Sequence, residues 1–315
     1  MIVRLKLYFF ENNDGNFGDA LNPWFWSKVA PSLWDDNNDN LLLGIGSIIN
    51  HKLPQAASTT VFGSGAGYGE LPKGFESWRV YCVRGPLTAK KLGLDDSYAV
   101  IDPAALCPRL YQPELVEKRY PVSFIPHYMT AKQGDWPSVC AAAGIHYISP
   151  TDPPLTVIDQ IVSSGRVITE AMHGAILADS YRVPWMAASL DESLHPKWQD
   201  WLLTVGLSSC STLSLQQVWK GNAEQPLTYR VKNRLKRSLL PFKPSFIQWS
   251  PPVPLKSSFT VFDTQVKRLK DAAQSDDFML SSTSILNSKL DRLETLLAQL
   301  IADNQHFTLK QSAEV

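Results

Sequence analysis

The sequence has no surplus of charge: thirty Lys and Arg stand against thirty Asp and Glu in 315 residues. That balance argues against a general nucleic-acid binder, which carries a basic footprint. Cysteine is scarce and scattered. Cys82, Cys107, Cys140 and Cys210 form no C-x-x-C pair, so neither a zinc ribbon nor a disulfide scaffold is expected, and a reducing cytoplasm fits. Asp191 and Glu192 are adjacent but have no partnered His or Cys spacing, so no metal site is expected. No run of about eighteen apolar residues occurs, which leaves nothing to span a bilayer as a helix. The stretch from Met1 to Phe10 is too short and too interrupted by charge for a signal peptide. The glycine turns Gly44-Ile45-Gly46-Ser47 and Gly63-Ser64-Gly65-Ala66-Gly67 lack the Gly-Lys-Ser/Thr of a P-loop, and the first strand lacks G-x-G-x-x-G. After Pro254 there is neither Gly nor Pro, which predicts a long helical tail.

What is present is an α/β rhythm. The length favours two domains. Short apolar strands at 2–10, 40–49, 59–62, 78–83 and 98–101 alternate with helical stretches, which predicts a Rossmann-like sheet. A Pro- and charge-rich segment from Cys107 to Tyr120 reads as a linker. The rhythm then resumes with strands at 121–126, 146–150, 166–168 and 182–187 and helices at 136–143, 155–164 and 175–181. The resulting division is 1–118 and 119–222 as two Rossmann-like domains, 223–257 as a basic segment and 258–315 as the tail.

The candidate chemistry sits where strands end, because backbone N–H groups and helix dipoles point outward there. In Thr169-Glu170-Ala171-Met172-His173-Gly174 an acid and an imidazole share one turn before a helix that opens at Gly174. Glu170 can equally cap that helix, with His173 packed beneath a loop. Asn16 and Asp19 stand at the turn after the first strand, where they can cap a helix or bind a ligand hydroxyl. Arg84 ends the fourth strand, where it can fork onto a phosphate or carboxylate or form a salt bridge to an acid of a neighbouring loop. Asp102 and His127 occupy two further strand ends. The stretch Asp191 to Trp201 is acidic and aromatic; its Trp residues can stack on sugars or fill a core.

Residues 225–257 contain no acid but include Arg230, Lys232, Arg234, Lys236, Arg237, Lys243 and Lys256, with Leu235, Leu239, Leu240, Phe242 and Trp249 interleaved. Residues 230–243 could therefore lie on an anionic membrane surface or form a solvated helix. Leu286, Leu290, Leu293, Leu297 and Leu300 make a short heptad seam, extendable past Asn304 to Phe307, suited to a partner helix or a homo-oligomer.

At Arg84-Gly85-Pro86-Leu87-Thr88, His127 and Glu170-Ala171-Met172-His173-Gly174-Ala175 the sequence resembles the polysaccharide pyruvyl transferase family. The Gly15-Asn16-Phe17-Gly18-Asp19 turn, the Gly44-Ile45-Gly46-Ser47 strand end and Asp102-Pro103 match as well, so the likeness spans roughly residues 8–190. The resemblance implies two Rossmann-like domains facing a cleft, as in glycosyltransferase-B-like enzymes. It also implies transfer of pyruvate from phosphoenolpyruvate, the donor substrate and not a cofactor, onto two sugar hydroxyls as a cyclic ketal. The expected acceptor is a lipid-linked oligosaccharide met by a cytoplasmic protein, peripheral at the inner membrane. By similarity Arg84 maps to a donor-binding arginine, with Gly174 at the helix opening, and His173 to the histidine of the second-domain motif. Ala171 stands where many relatives carry a second arginine, so Arg166 and Arg182 become candidates for that role. His173, Glu170 and His127 are the candidate acid and base, with Asn16, Asp19 and Asp102 as candidate acceptor contacts. A sugar-nucleotide glycosyltransferase of the same fold and a non-catalytic assembly subunit docked through the leucine seam remain alternatives.

Overall fold

The structure is a computed structural model that describes residues 4–11, 14–35, 39–67, 69–114, 117–191, 193–221, 227–239 and 253–311. Expectations for Met1–Val3, Asn12, Asn13, Glu192, Leu240, Phe242, Lys243 and Trp249 lie outside these residues.

The first half is a four-stranded parallel sheet in sequential order, β1 (Lys6–Tyr8), β2 (Asn40–Leu43), β3 (Ser58–Phe62) and β4 (Arg79–Cys82). Helix α1 (Phe17–Val29) joins β1 to β2, α2 (Pro86–Lys91) follows β4, and α3 (Cys107–Leu110) starts the connection to the second half. Strand β2 and the end of β3 are apolar, and both strands are mostly buried, as expected where helices cover a parallel sheet. The fifth strand expected at 98–101 is a single bridge, Val83 to Ala99. Asp95 caps a tight turn at Asp96–Tyr98 just before it, and Asp102 caps another at Pro103–Leu106 just after it. The two caps leave too little extended backbone for a ladder.

The second half is a five-stranded parallel sheet in the order β6-β5-β7-β8-β9. In chain order it comprises β5 (Tyr120–Ile125), α4 (Tyr128–Gln133), α5 (Trp136–Ala143), β6 (His146–Tyr147), α6 (Pro154–Val162), β7 (Ser164–Thr169), α7 (Met172–Ser180), β8 (Trp185–Ser189), α8 (Pro196–Thr204) and β9 (Thr212–Ser214). Helix α5 stops at Gly144 in the left-handed conformation, the stop its sequence requires. Helix α7 opens at Met172, before the expected Gly174. Trp198 and Trp201 of α8 are 3% and 1% exposed and cluster with Trp185, so this aromatic stretch fills the core.

Helices α9 (Leu227–Leu239), α10 (Phe259–Gln274) and α11 (Thr283–Gln311) complete the described chain. No described helix is long and apolar enough to cross a membrane. Helix α11 folds back onto the first half. Leu286, Leu290, Leu293 and Leu300 lie in one core cluster with Leu5, Phe62, Tyr81, Cys82 and Ala104. Tyr81 donates to Asp303, Lys289 donates to the Ala99 carbonyl, and Arg109 pairs with Asp291 and Glu294. The heptad seam expected to meet a partner or a second copy is thus consumed inside its own chain, and with it the docking face of the assembly-subunit alternative. Asn304 is buried in register, its amide donating to the Leu300 carbonyl.

Leu293→Ala should lower the unfolding free energy by about 2–5 kcal/mol, the usual cost of emptying a buried leucine site. Gln299→Ala, on the exposed side of α11, should change it by less than about 0.5 kcal/mol. Denaturant titration of both variants checks the assignment.

Candidate functional site

Asn16 caps α1: its side-chain oxygen accepts the Gly18 N–H at 3.2 Å, and its amide donates to Asp19 Oδ2 at 2.6 Å. One turn on, the fully buried Asn22 accepts the Ile45 N–H and donates to the Ile45 carbonyl. That two-way bond pins α1 to the glycine turn after β2 and fixes Asp19 over the strand ends. Burial pushes the Asp19 carboxyl upward, opposed first by His173 and then by the Asn16 bond.

Arg84 is wholly buried. Its Nη1 donates to Ser47 Oγ at 2.6 Å, while Nε and Nη2 both lie 3.3 Å from Asp200 Oδ2. Asp200 belongs to α8 of the second half. Its other contacts are the Thr88 N–H and hydroxyl, and Thr204 on the same helix donates to the Arg84 carbonyl. The guanidinium lies flat on Gly65, where a Cβ would come within 2.1 Å of Nη2. Of the two readings open for Arg84, the salt bridge is formed, to a helix rather than a loop. Nη2 makes no hydrogen bond beyond that ion pair.

His173 occupies the first turn of α7 and packs against α1 of the other half; a Cβ at Gly18 would fall 2.1 Å from its Nδ1. Its Nε2 lies 3.7 Å from Asp102 Oδ2, too long for a hydrogen bond. Both atoms are buried without a hydrogen-bond partner among the described residues. The other oxygen of Asp102 caps the turn at Pro103–Leu106 by accepting the Ala104 N–H. An unmade buried bond costs about 1–3 kcal/mol, so this pair is a costly arrangement in the fold.

Glu170 turns away from His173. Its two oxygens accept the His127 N–H at 2.8 Å and the Thr130 hydroxyl at 2.9 Å, so it caps α4 rather than α7. Burial raises its pKa against those bonds. Burial, and secondarily Lys197, pulls the His127 imidazole down to about 4, so it is neutral at pH 7. Gly174 is buried, and its N–H is spent on the Ala171 carbonyl. A Cβ there would meet Thr169 Oγ1 at 2.4 Å, so its role is packing, not offering a free N–H to a donor.

Arg166 and Arg182 are not part of this cluster. Arg166 sits near the start of β7, where it donates to the Ser275 carbonyl and lies 5.1 Å over the Phe278 ring. Arg182 follows the far end of α7 and bonds the carbonyl and hydroxyl of Ser281 beside Asp179. Both guanidiniums fasten the α10–α11 connection, so neither supplies the arginine absent at Ala171.

The basic group at the seam is instead Lys197, in the first turn of α8. Burial and the nearby Arg84 push its pKa down, against the pull of Asp19 and Glu170. It forms no ion pair within 4 Å among the described residues. His195 caps the same helix by accepting the Lys197 N–H at 3.2 Å. Burial, Lys197 and Arg84 also lower the His195 pKa. The sequence signal was there, a His-Pro-Lys at a helix start, but the aromatic-acidic composition around it obscured it. Lys197 is felt by Asp19, His127, Glu170 and His195, which come from both halves.

The fold and the cluster define an α/β protein that gathers carboxylates, imidazoles and cations at the ends of two parallel sheets, where such folds bind ligands. The family model for polysaccharide pyruvyl transferase matches residues 12–192, more than half of the chain, and the chain belongs to that family. The succinoglycan biosynthesis protein ExoV of Rhizobium meliloti (strain 1021) is 42% identical over 208 residues. That match covers 65% of this chain and 66% of the relative, just under two thirds of its length. No solved structure matches. The family match ends before His195, Lys197 and Asp200.

Asp200→Asn should destabilise the fold by about 3–5 kcal/mol, because it strands a buried guanidinium; urea unfolding measures this. A histidine held neutral in the fold contributes stability that is full above pH 6.5 and lost as pH falls toward 4. His127→Asn should therefore flatten the acid limb of the urea midpoint between pH 6.5 and 4.

Proposed function

We propose that the chain transfers pyruvate from phosphoenolpyruvate onto two hydroxyls of a hexose in a lipid-linked polysaccharide repeat unit, at the inner face of the membrane. The observation that carries this reading is Lys197, without an ion pair among the described residues, at the seam where the unbonded His173–Asp102 pair also sits. The relative's part in succinoglycan biosynthesis supports a polysaccharide acceptor. The two halves would face each other in a glycosyltransferase-B-like arrangement, with the strand ends of both lining the reaction space.

The donor carries a phosphate and a carboxylate. Lys197 meets one of these anions, while Arg84, held by Asp200, braces the seam behind it. The donor's methylene carbon takes up a proton, which leaves cation character on the adjacent carbon. One sugar hydroxyl adds there and loses its proton to a base, and a second displaces the phosphate, which leaves carrying that hydroxyl's proton as the ketal closes. His173, backed by Asp102, is placed for one proton transfer, and the neutral His127 imidazole can accept the other. Glu170 orients His127 through its backbone N–H. Asn16 holds Asp19 toward the acceptor side.

The test is phosphate release from phosphoenolpyruvate with a membrane-extracted glycolipid pool. Release should need the glycolipid and fall about 10²–10³-fold in both His173→Ala and Lys197→Met. A lysine with a depressed folded pKa costs stability while charged, so at pH 7 Lys197→Met should also raise Tm as activity falls. Consumption of a sugar nucleotide with no phosphate release from phosphoenolpyruvate would overturn the proposal.

A further inference from the structure

Helix α9 is mostly exposed among the described residues. Among its described side chains only Asn233 is buried, at 4% exposure. The Asn233 amide clasps Val253, donating to its carbonyl at 3.1 Å and accepting its N–H at 2.9 Å. At about 100° per residue, Leu227, Val231 and Leu235 fall in one sector, roughly opposite Asn233. The polar side is therefore fastened to the chain and the apolar stripe faces outward. Those three side chains are 71%, 51% and 58% exposed. Arg230 and Arg234 border the stripe on one side, with Lys232 and Lys236 on the other. An isolated helix of thirteen residues is marginal in water, so one that buries a single side chain needs something to cover its stripe.

We propose that α9 docks this chain on an anionic lipid bilayer. The apolar stripe enters the boundary between headgroups and acyl chains, and the flanking basic residues meet anionic headgroups. Charge selects this occupant over a second copy of the chain. Residues 225–257 contain no acid, so two copies laid stripe to stripe would oppose like charges. The inference goes beyond the proposed activity and needs neither donor nor acceptor to be tested.

The experiment is co-sedimentation of the full chain with vesicles of phosphatidylcholine containing phosphatidylglycerol, against phosphatidylcholine alone. Binding should appear with the anionic vesicles and weaken as salt rises. Val231→Ser with Leu235→Ser should reduce partitioning about tenfold, and Arg230→Gln, Lys232→Gln and Arg234→Gln together about a hundredfold. These residues are exposed, so Tm and far-UV circular dichroism should be unchanged. Absence of vesicle binding, equal binding to neutral vesicles, or binding untouched by the serine substitutions would each overturn the docking proposal. Phosphate release from a detergent-dispersed glycolipid is read separately, so the two proposals fail independently.

Discussion

A guanidinium with no access to water needs an anion at contact distance, and among the described residues Arg84 finds one in Asp200 of the other half. That requirement organises the seam. The same carboxylate takes the N–H and hydroxyl of Thr88, which seats α8 on the first turn of α2. Thr204 closes the contact from one turn further along α8. Once α8 is seated, Lys197, one turn before Asp200, is placed as well, and the glycine at position 65 leaves the guanidinium room to lie flat. The electrostatics of the site and the packing of the two halves are thus one arrangement.

The titratable groups around the seam shift in a common sense. Asp19 and Glu170 are pushed up; His127, His195 and Lys197 are pushed down; burial is the largest cause in every case. Each shift favours the neutral form, as a site short of water dictates. An anionic ligand arriving beside Lys197 would reverse part of that balance by adding to the pull of Asp19 and Glu170 on its ammonium.

Much of this was legible in the sequence because it depended on local rules. Strand ends carrying Asn16, Asp19, Arg84, Asp102, His127 and His173 followed from alternating apolar runs and glycine turns, and the structure gathers these groups around one seam. Position along the chain misled where long-range packing decided. Glu170 is three residues from His173 yet serves α4, because the His127 N–H and the Thr130 hydroxyl face it across the β5–β7 pair. Arg166 and Arg182 read as spare cations but hold down a connection more than ninety residues away. Lys197 was missed because the aromatic residues around it, Trp198 and Trp201, announced a core, and they do form one. A heptad seam cannot say whether its partner is another molecule or its own first sheet; only the tertiary contacts of Leu293 and its neighbours decide that.

The return of α11 onto the first sheet has a consequence for how the chain is made. Strand β4 ends at Cys82, while the helix that covers its core begins at Thr283. Ribosomal synthesis at about 5–20 residues per second puts roughly ten to forty seconds between the two. Throughout that interval the apolar face awaiting Leu286, Leu290 and Leu293 is bare, on a nascent chain whose second half is already long enough to fold. The amino-terminal half is therefore born first and finished last, and its exposure to chaperones and to neighbouring nascent chains is set by the pace of translation.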